Sequence, residues 1–115
     1  QKGYFSVMNM RTKQEMKLNV TLLEDLQKNG STSLNIEEAV RKMNKPLYIF
    51  HGSEDLAVKV EEAKELYSWG NKSITNLKII ENTGHTFGCV HPFEGTNDKF
   101  EELLKETHLF FEKNI

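Results

Sequence analysis

The stretch Pro46-Leu47-Tyr48-Ile49-Phe50-His51-Gly52-Ser53-Glu54-Asp55-Leu56-Ala57-Val58 decides how the chain reads. Pro46 ends any helix before it, because its ring leaves no room for a preceding turn and it lacks an amide hydrogen. Residues 47–50 are then an unbroken apolar run, the pattern of strands buried on both faces in parallel sheets. His51 to Asp55 form a polar turn. Residues 59–69 predict a helix that buries Val60, Ala63, Leu66 and Tyr67, with Gly70 as its cap. A second strand is predicted over 77–80, closed by Asn82-Thr83-Gly84. After a long loop over 85–95, residues 97–113 predict a last helix burying Phe100, Leu103, Leu104 and Phe111.

Strand, turn, helix, strand, loop, helix is the alternation of an α/β fold. It implies right-handed β-α-β units in a parallel sheet with flanking helices. Two strands make only an incomplete sheet, with bare edges and uncovered faces. The partner strands are expected from sequence outside this chain or from another copy, so the chain by itself is expected to self-associate.

Upstream, residues 1–17 show no clear period and read as loop or lid. From Asn19, the positions Val20, Leu22, Leu23 and Leu26 suit a short amphipathic helix stopped at Asn29-Gly30. Asn35 and Glu38 have capping-box spacing, heading a helix over 36–43 that buries Ile36, Ala39, Val40 and Met43. The expected organisation is therefore lid and connecting helices over 1–45, and a β-α-β-α part over 46–115.

Bulk composition removes several function classes. The 115 residues carry 15 Lys and Arg against 17 Asp and Glu, a formal charge of -2. That balance offers no basic surface for nucleic acid. No apolar run approaches the roughly 18 residues of a membrane span, and no signal-peptide pattern opens the chain. Apolar residues are 37% of the chain, enough for a modest core only. The single Cys89 excludes an internal disulfide and fits a reducing, cytoplasmic compartment. A start at Gln1 reads as a piece of a longer polypeptide.

In open α/β sheets, functional groups gather at the carboxyl ends of the strands. Asp55 follows the first predicted strand and His85 the second, so parallel strands would deliver both to one sheet edge. An Asp accepting from one imidazole nitrogen fixes the tautomer and leaves the other nitrogen to take a proton from a nucleophile. Gly52 permits the turn, and Gly84 would let the loop bring the imidazole close.

These residues also carry a resemblance. The His51-Gly52-x-x-Asp55-x-x-Val58 segment resembles the strand and acid turn of the α/β-hydrolases, closest to the dienelactone hydrolase-like and prolyl oligopeptidase-like branches. Leu77 to Phe87, ending Gly84-His85-Thr86-Phe87, is similar to the family's last strand and Gly-His-x-Phe loop. The resemblance implies the C-terminal part of an α/β-hydrolase fold, with Asp55 as triad acid and His85 as general base. It further implies a serine hydrolase acting on carboxylic esters or related acyl substrates, an esterase or a peptidase, without a cofactor. The family's nucleophile sits on an upstream Gly-x-Ser-x-Gly elbow. No such elbow occurs here; Ser53 follows Gly52, but Asp55 stands where the second glycine belongs. The chain alone is therefore expected to be inactive. The alternative is a non-catalytic hydrolase-like binding or oligomerisation module.

The other candidates weigh less. His91 is a rival base, better suited to a substrate-binding rim, with plain loop structure weighing more than either role. Phe87, with Tyr4, Phe5 and Phe93, would line an acyl pocket, against plain core or lid packing. His51 would order the turn by hydrogen bonding, and His108 would be a partly buried structural residue. His85, Cys89 and His91 as a zinc site lack a fourth ligand and paired spacing, so no metal is expected. Cys89 reads as a small loop or buried side chain rather than a nucleophile.

Overall fold

The computed structural model describes residues 3–115. The chain divides into two compact units, Gln1–Glu38 and Ala39–Ile115.

In the first unit, β1 (Tyr4–Asn9) and β2 (Gln14–Asn19) form an antiparallel hairpin. This corrects the loop expected over 1–17, of which Gln1 and Lys2 lie outside the described residues. Alternation explains the hairpin: Phe5 pairs with Leu18 and Val7 with Met16 on one face, while Ser6 pairs with Lys17 and Met8 with Glu15 on the other. Asn9 makes the turn. Its Oδ1 accepts from the N–H groups of Arg11 and Thr12 at 3.1 and 3.2 Å. Its carbonyl accepts from the N–H of Lys13, which takes the left-handed conformation at φ 60°. The helix expected next is α1 (Thr21–Asn29), with Leu22, Leu23 and Leu26 exposed.

Helix α2 (Ile36–Lys42) crosses the boundary between the units. Asn35 Oδ1 accepts from the Glu38 N–H at 3.0 Å, the N-cap bond that its spacing implied. The expected burial is only partly met. Val40 is buried and Met43 half-buried, but Ile36 and Ala39 are exposed.

The second unit continues with β3 (Leu47–Gly52), α3 (Val60–Trp69), β4 (Thr75–Ile80) and α4 (Asp98–Asn114). Strands β3 and β4 pair in parallel, Leu47 beside Thr75 through Gly52 beside Ile80, and neither pairs with another strand among the described residues. The second unit is thus mixed α/β, a small parallel sheet with flanking helices. Because side chains alternate along a strand, Leu47, Ile49 and His51 share one face with Thr75, Leu77 and Ile79. Tyr48, Phe50, Lys78 and Ile80 share the other.

Helix α3 packs against both strands and buries Ala63. Gly70 caps it as expected, in an extended conformation at φ -75°, its N–H donating to the Tyr67 carbonyl. Its glycine requirement is spatial, since a Cβ there would stand 2.6 Å from Thr75 Oγ1. The Tyr48 face meets α4, where the Tyr48 and Phe110 rings pack edge to face at 5.7 Å. Lys78 Nζ reaches Glu102 at 2.9 Å and Glu106 at 3.2 Å, and Tyr48 donates its hydroxyl to Glu106 at 3.1 Å. Burial, helped by Glu106, raises the Tyr48 phenol pKa; the Lys78 ammonium and the Tyr48 hydroxyl hold that of Glu106 down. The inward face of α4 therefore includes Glu102, Leu103, Glu106 and Phe110. Leu104 and Phe111, expected inside, are 45% and 53% exposed. His108 also turns out to solvent, paired with Glu112 at 3.2 Å.

Candidate active site

Both turns that follow the parallel strands are short and tied to each other. The Ser53 N–H donates to the Ile80 carbonyl and the Glu54 N–H to the Thr83 carbonyl, each at 2.9 Å. Ser53 Oγ accepts from the Asn82 N–H at 2.9 Å, so this hydroxyl ties the two turns together. Asn82 adopts φ 57°, a left-handed conformation that Asn tolerates better than most residues. Gly52 sits where the turns touch: a Cβ on it would press on the Thr83 carbonyl oxygen and lie 2.5 Å from that of Gly84.

This stitching brings together two residues thirty positions apart in sequence. His85 Nδ1 lies 2.8 Å from Asp55 Oδ2. The other carboxylate oxygen, Oδ1, accepts from the N–H groups of Ala57 and Val58, both at 2.9 Å. These bonds favour the ionised form. The Val58 N–H is the largest cause of a carboxyl pKa below its ordinary 3.8, opposing the rise from desolvation, with His85 and the Ala57 N–H adding to the lowering. An ionised carboxylate only accepts, so Nδ1 of His85 carries the hydrogen and Nε2 is left as a proton acceptor. The pair has one dry end and one wet end. The Asp55 side chain is 3% exposed and that of His85 61%. A buried, fully bonded acid thus orients an accessible base.

Beside the pair lies a hollow of about 180 Å³, lined by Phe50, His51, Gly52, Asp55, Val58, His85 and Phe87. Phe87 is held there in a left-handed conformation, φ 53°, followed by Gly88 at φ 78°. Its N–H donates to the Gly84 carbonyl at 3.2 Å, and its carbonyl accepts from Asn97 Nδ2 at 3.0 Å. Asn97 also caps α4, accepting from the N–H groups of Lys99 and Phe100. The sequence pattern puts Asn97 at the start of the last helix, but nothing in it signals the bond to the Phe87 carbonyl, which depends on the folded loop.

Of the residues singled out from sequence, Asp55 and His85 come together and Phe87 joins them. His91 does not line the hollow and is exposed. Cys89 is a half-buried free thiol, its N–H bonded to the Thr86 carbonyl at 3.0 Å. His51 is buried, with Nε2 2.9 Å from the Val58 carbonyl oxygen, a hydrogen bond within the turn. Gly84 has more room than its neighbour: the nearest atom to a Cβ there is the Glu54 carbonyl oxygen at 3.7 Å. Close approach of the turns therefore demands glycine at position 52, not at 84. Among the described residues, no three His, Cys, Asp or Glu side chains converge as metal ligands, and no helix is long and apolar enough to cross a membrane.

A larger groove of about 430 Å³ lies at the other ends of the strands, beside Pro46, Tyr48, Ile74 and Phe110, and contains none of these residues. Compared with models of known protein families and with curated proteins, the chain has no match.

Proposed function

We propose that the second unit supplies the acid and base of a serine hydrolase of the α/β-hydrolase type, acting on carboxylic esters or related acyl substrates. The observation that carries this reading is the 2.8 Å bond between Asp55 and His85 at the carboxyl ends of adjacent parallel strands. The sequence resemblance of the His-Gly-x-x-Asp-x-x-Val and Gly-His-x-Phe segments also supports it. The serine and the oxyanion donors belong to sequence outside this chain.

In the reaction, Nε2 of His85 takes the hydroxyl proton of that serine as its oxygen bonds to the acyl carbon. Asp55 stabilises the imidazolium and stays ionised itself. The imidazolium then protonates the departing alcohol. A water that gives its proton to Nε2 attacks the acyl-serine, and return of this proton to the serine oxygen frees the acid. The apolar rings of Phe50 and Phe87 beside the base suit an uncharged acyl or alkyl group. The lone Cys89 supports a reducing, cytoplasmic setting. That neither β3 nor β4 pairs with a further strand among the described residues supports self-association of this chain when no other strand covers them.

The test is to express the longer polypeptide read from upstream sequence, with and without His85→Ala, and to assay short-chain p-nitrophenyl esters. Turnover should fall by about 10⁴-fold or more in the variant, and this chain alone should show none. Undiminished turnover in His85→Ala removes His85 from the mechanism.

A further inference from the structure

His51 stands directly behind the acid. Its imidazole is buried, and Nε2 faces two oxygens, the Val58 carbonyl at 2.9 Å and Asp55 Oδ2 at 3.5 Å. Neither a carbonyl nor an ionised carboxylate can donate, so Nε2 carries the hydrogen. That hydrogen is bonded to Val58 and only leans toward Asp55, since 3.5 Å exceeds an ordinary hydrogen bond. Val58 is consequently gripped from both sides, by Asp55 Oδ1 at its N–H and by His51 at its carbonyl. The neighbouring Leu56 is almost fully exposed and contributes no packing to hold the turn. The bonds of Asp55 Oδ1 to the Ala57 and Val58 N–H groups and of His51 to the Val58 carbonyl thus tie together the turn that aims the carboxylate.

We propose that His51 is a positioning residue for the Asp55–His85 pair. By anchoring the Val58 carbonyl it fixes the two N–H groups that orient Asp55 Oδ1, and so turns Oδ2 toward His85. It acts through Asp55 and touches no substrate. Its catalytic meaning rests on the hydrolase reading, whereas its geometric effect can be read in this chain without any nucleophile.

The experiment uses the 115-residue chain labelled with ¹⁵N. Long-range ¹H–¹⁵N correlations should show hydrogen on His51 Nε2 in the wild type; a bare Nε2 overturns the proposal before any variant is made. In His51→Phe, exchange of the Ala57 and Val58 amide hydrogens should speed up by about tenfold, the effect of losing one net hydrogen bond, while amides in α3 and β4 are unmoved. The His85 Nδ1–H resonance, recorded at low temperature, should broaden in step. His51→Gln, which keeps a donor, should recover at least part of both signals, and it also serves if His51→Phe fails to fold. Unchanged exchange at Ala57 and Val58 in His51→Phe, or equal loss in His51→Gln, overturns the assignment. The ester assay above fails or succeeds separately, so an error in one reading is distinguishable from an error in the other.

Discussion

Gly52 and Gly84 approach so closely that a methyl group on the first would stand 2.5 Å from the carbonyl oxygen of the second. The obstructing atoms are backbone and cannot swing aside. Gly52→Ala is therefore expected to destabilise the protein by about 1–3 kcal/mol, the usual cost of overpacking. Gly84→Ala, with its nearest neighbour at 3.7 Å, should stay within about 0.5 kcal/mol of wild type. Urea denaturation of both variants checks the order.

Acid should weaken the second unit through Asp55. Its carboxyl pKa is lowered in the folded chain, first by the Val58 N–H. A lowered folded value contributes stability above the ordinary 3.8, and that stability is lost as pH falls through the folded value. Midpoints of urea unfolding should decline as pH drops below about 5, and decline less steeply in Asp55→Asn. Equal slopes in the two proteins would refute the assignment.

Asn97 offers a variant pair that separates two bonds. Asn97→Ala removes the helix cap and the donor to the Phe87 carbonyl, and should cost about 1–2 kcal/mol. Asn97→Asp keeps an oxygen for the Lys99 and Phe100 N–H groups but cannot donate to Phe87. Amide exchange should then be faster at Phe87 and Gly88 in both variants, and faster in the first turn of α4 in Asn97→Ala alone.

Tyr48 and Glu106 provide a test away from the site. Tyr48→Phe should cost about 1 kcal/mol, since Glu106 retains Lys78 as a partner. The phenol that disappears in this variant should titrate above its ordinary 10.0, because burial and Glu106 both raise it. Glu106→Gln should bring that midpoint down toward 10.0, as followed by tyrosinate absorbance.

Legibility from sequence followed the nature of the signal. The apolar run at Leu47 to Phe50 and the helix after it are readable because strand periodicity and turn chemistry are local, whereas Asp55 and His85 are readable because each follows a strand within a segment that carries the family resemblance. Phe87 beside them is legible only through the Gly-His-x-Phe resemblance and its aromatic character. The hairpin is hard to read from sequence although Phe5, Val7, Met16 and Leu18 alternate, because its strands are short and the Asn9 turn lacks a glycine signal. The inward face of α4 escapes sequence for a different reason. Glu102 and Glu106 face the sheet only because Lys78 and Tyr48 meet them there, and hydropathy cannot register a partner on a distant strand. That Gly52, and not Gly84, lacks room for a Cβ is not legible in sequence, since the space around a backbone atom is a property of the folded chain.

The bend after His85 has a consequence for altering the protein. Phe87 and Gly88 are two successive left-handed residues, so the polypeptide reverses there within a fixed number of bonds. One residue inserted between His85 and Gly88 would rotate the aromatic ring away from the hollow, even with every original side chain retained. Loop grafts that preserve composition but lengthen this bend are expected to lose the wall beside the imidazole, whereas insertions near the exposed Glu94 should leave it standing.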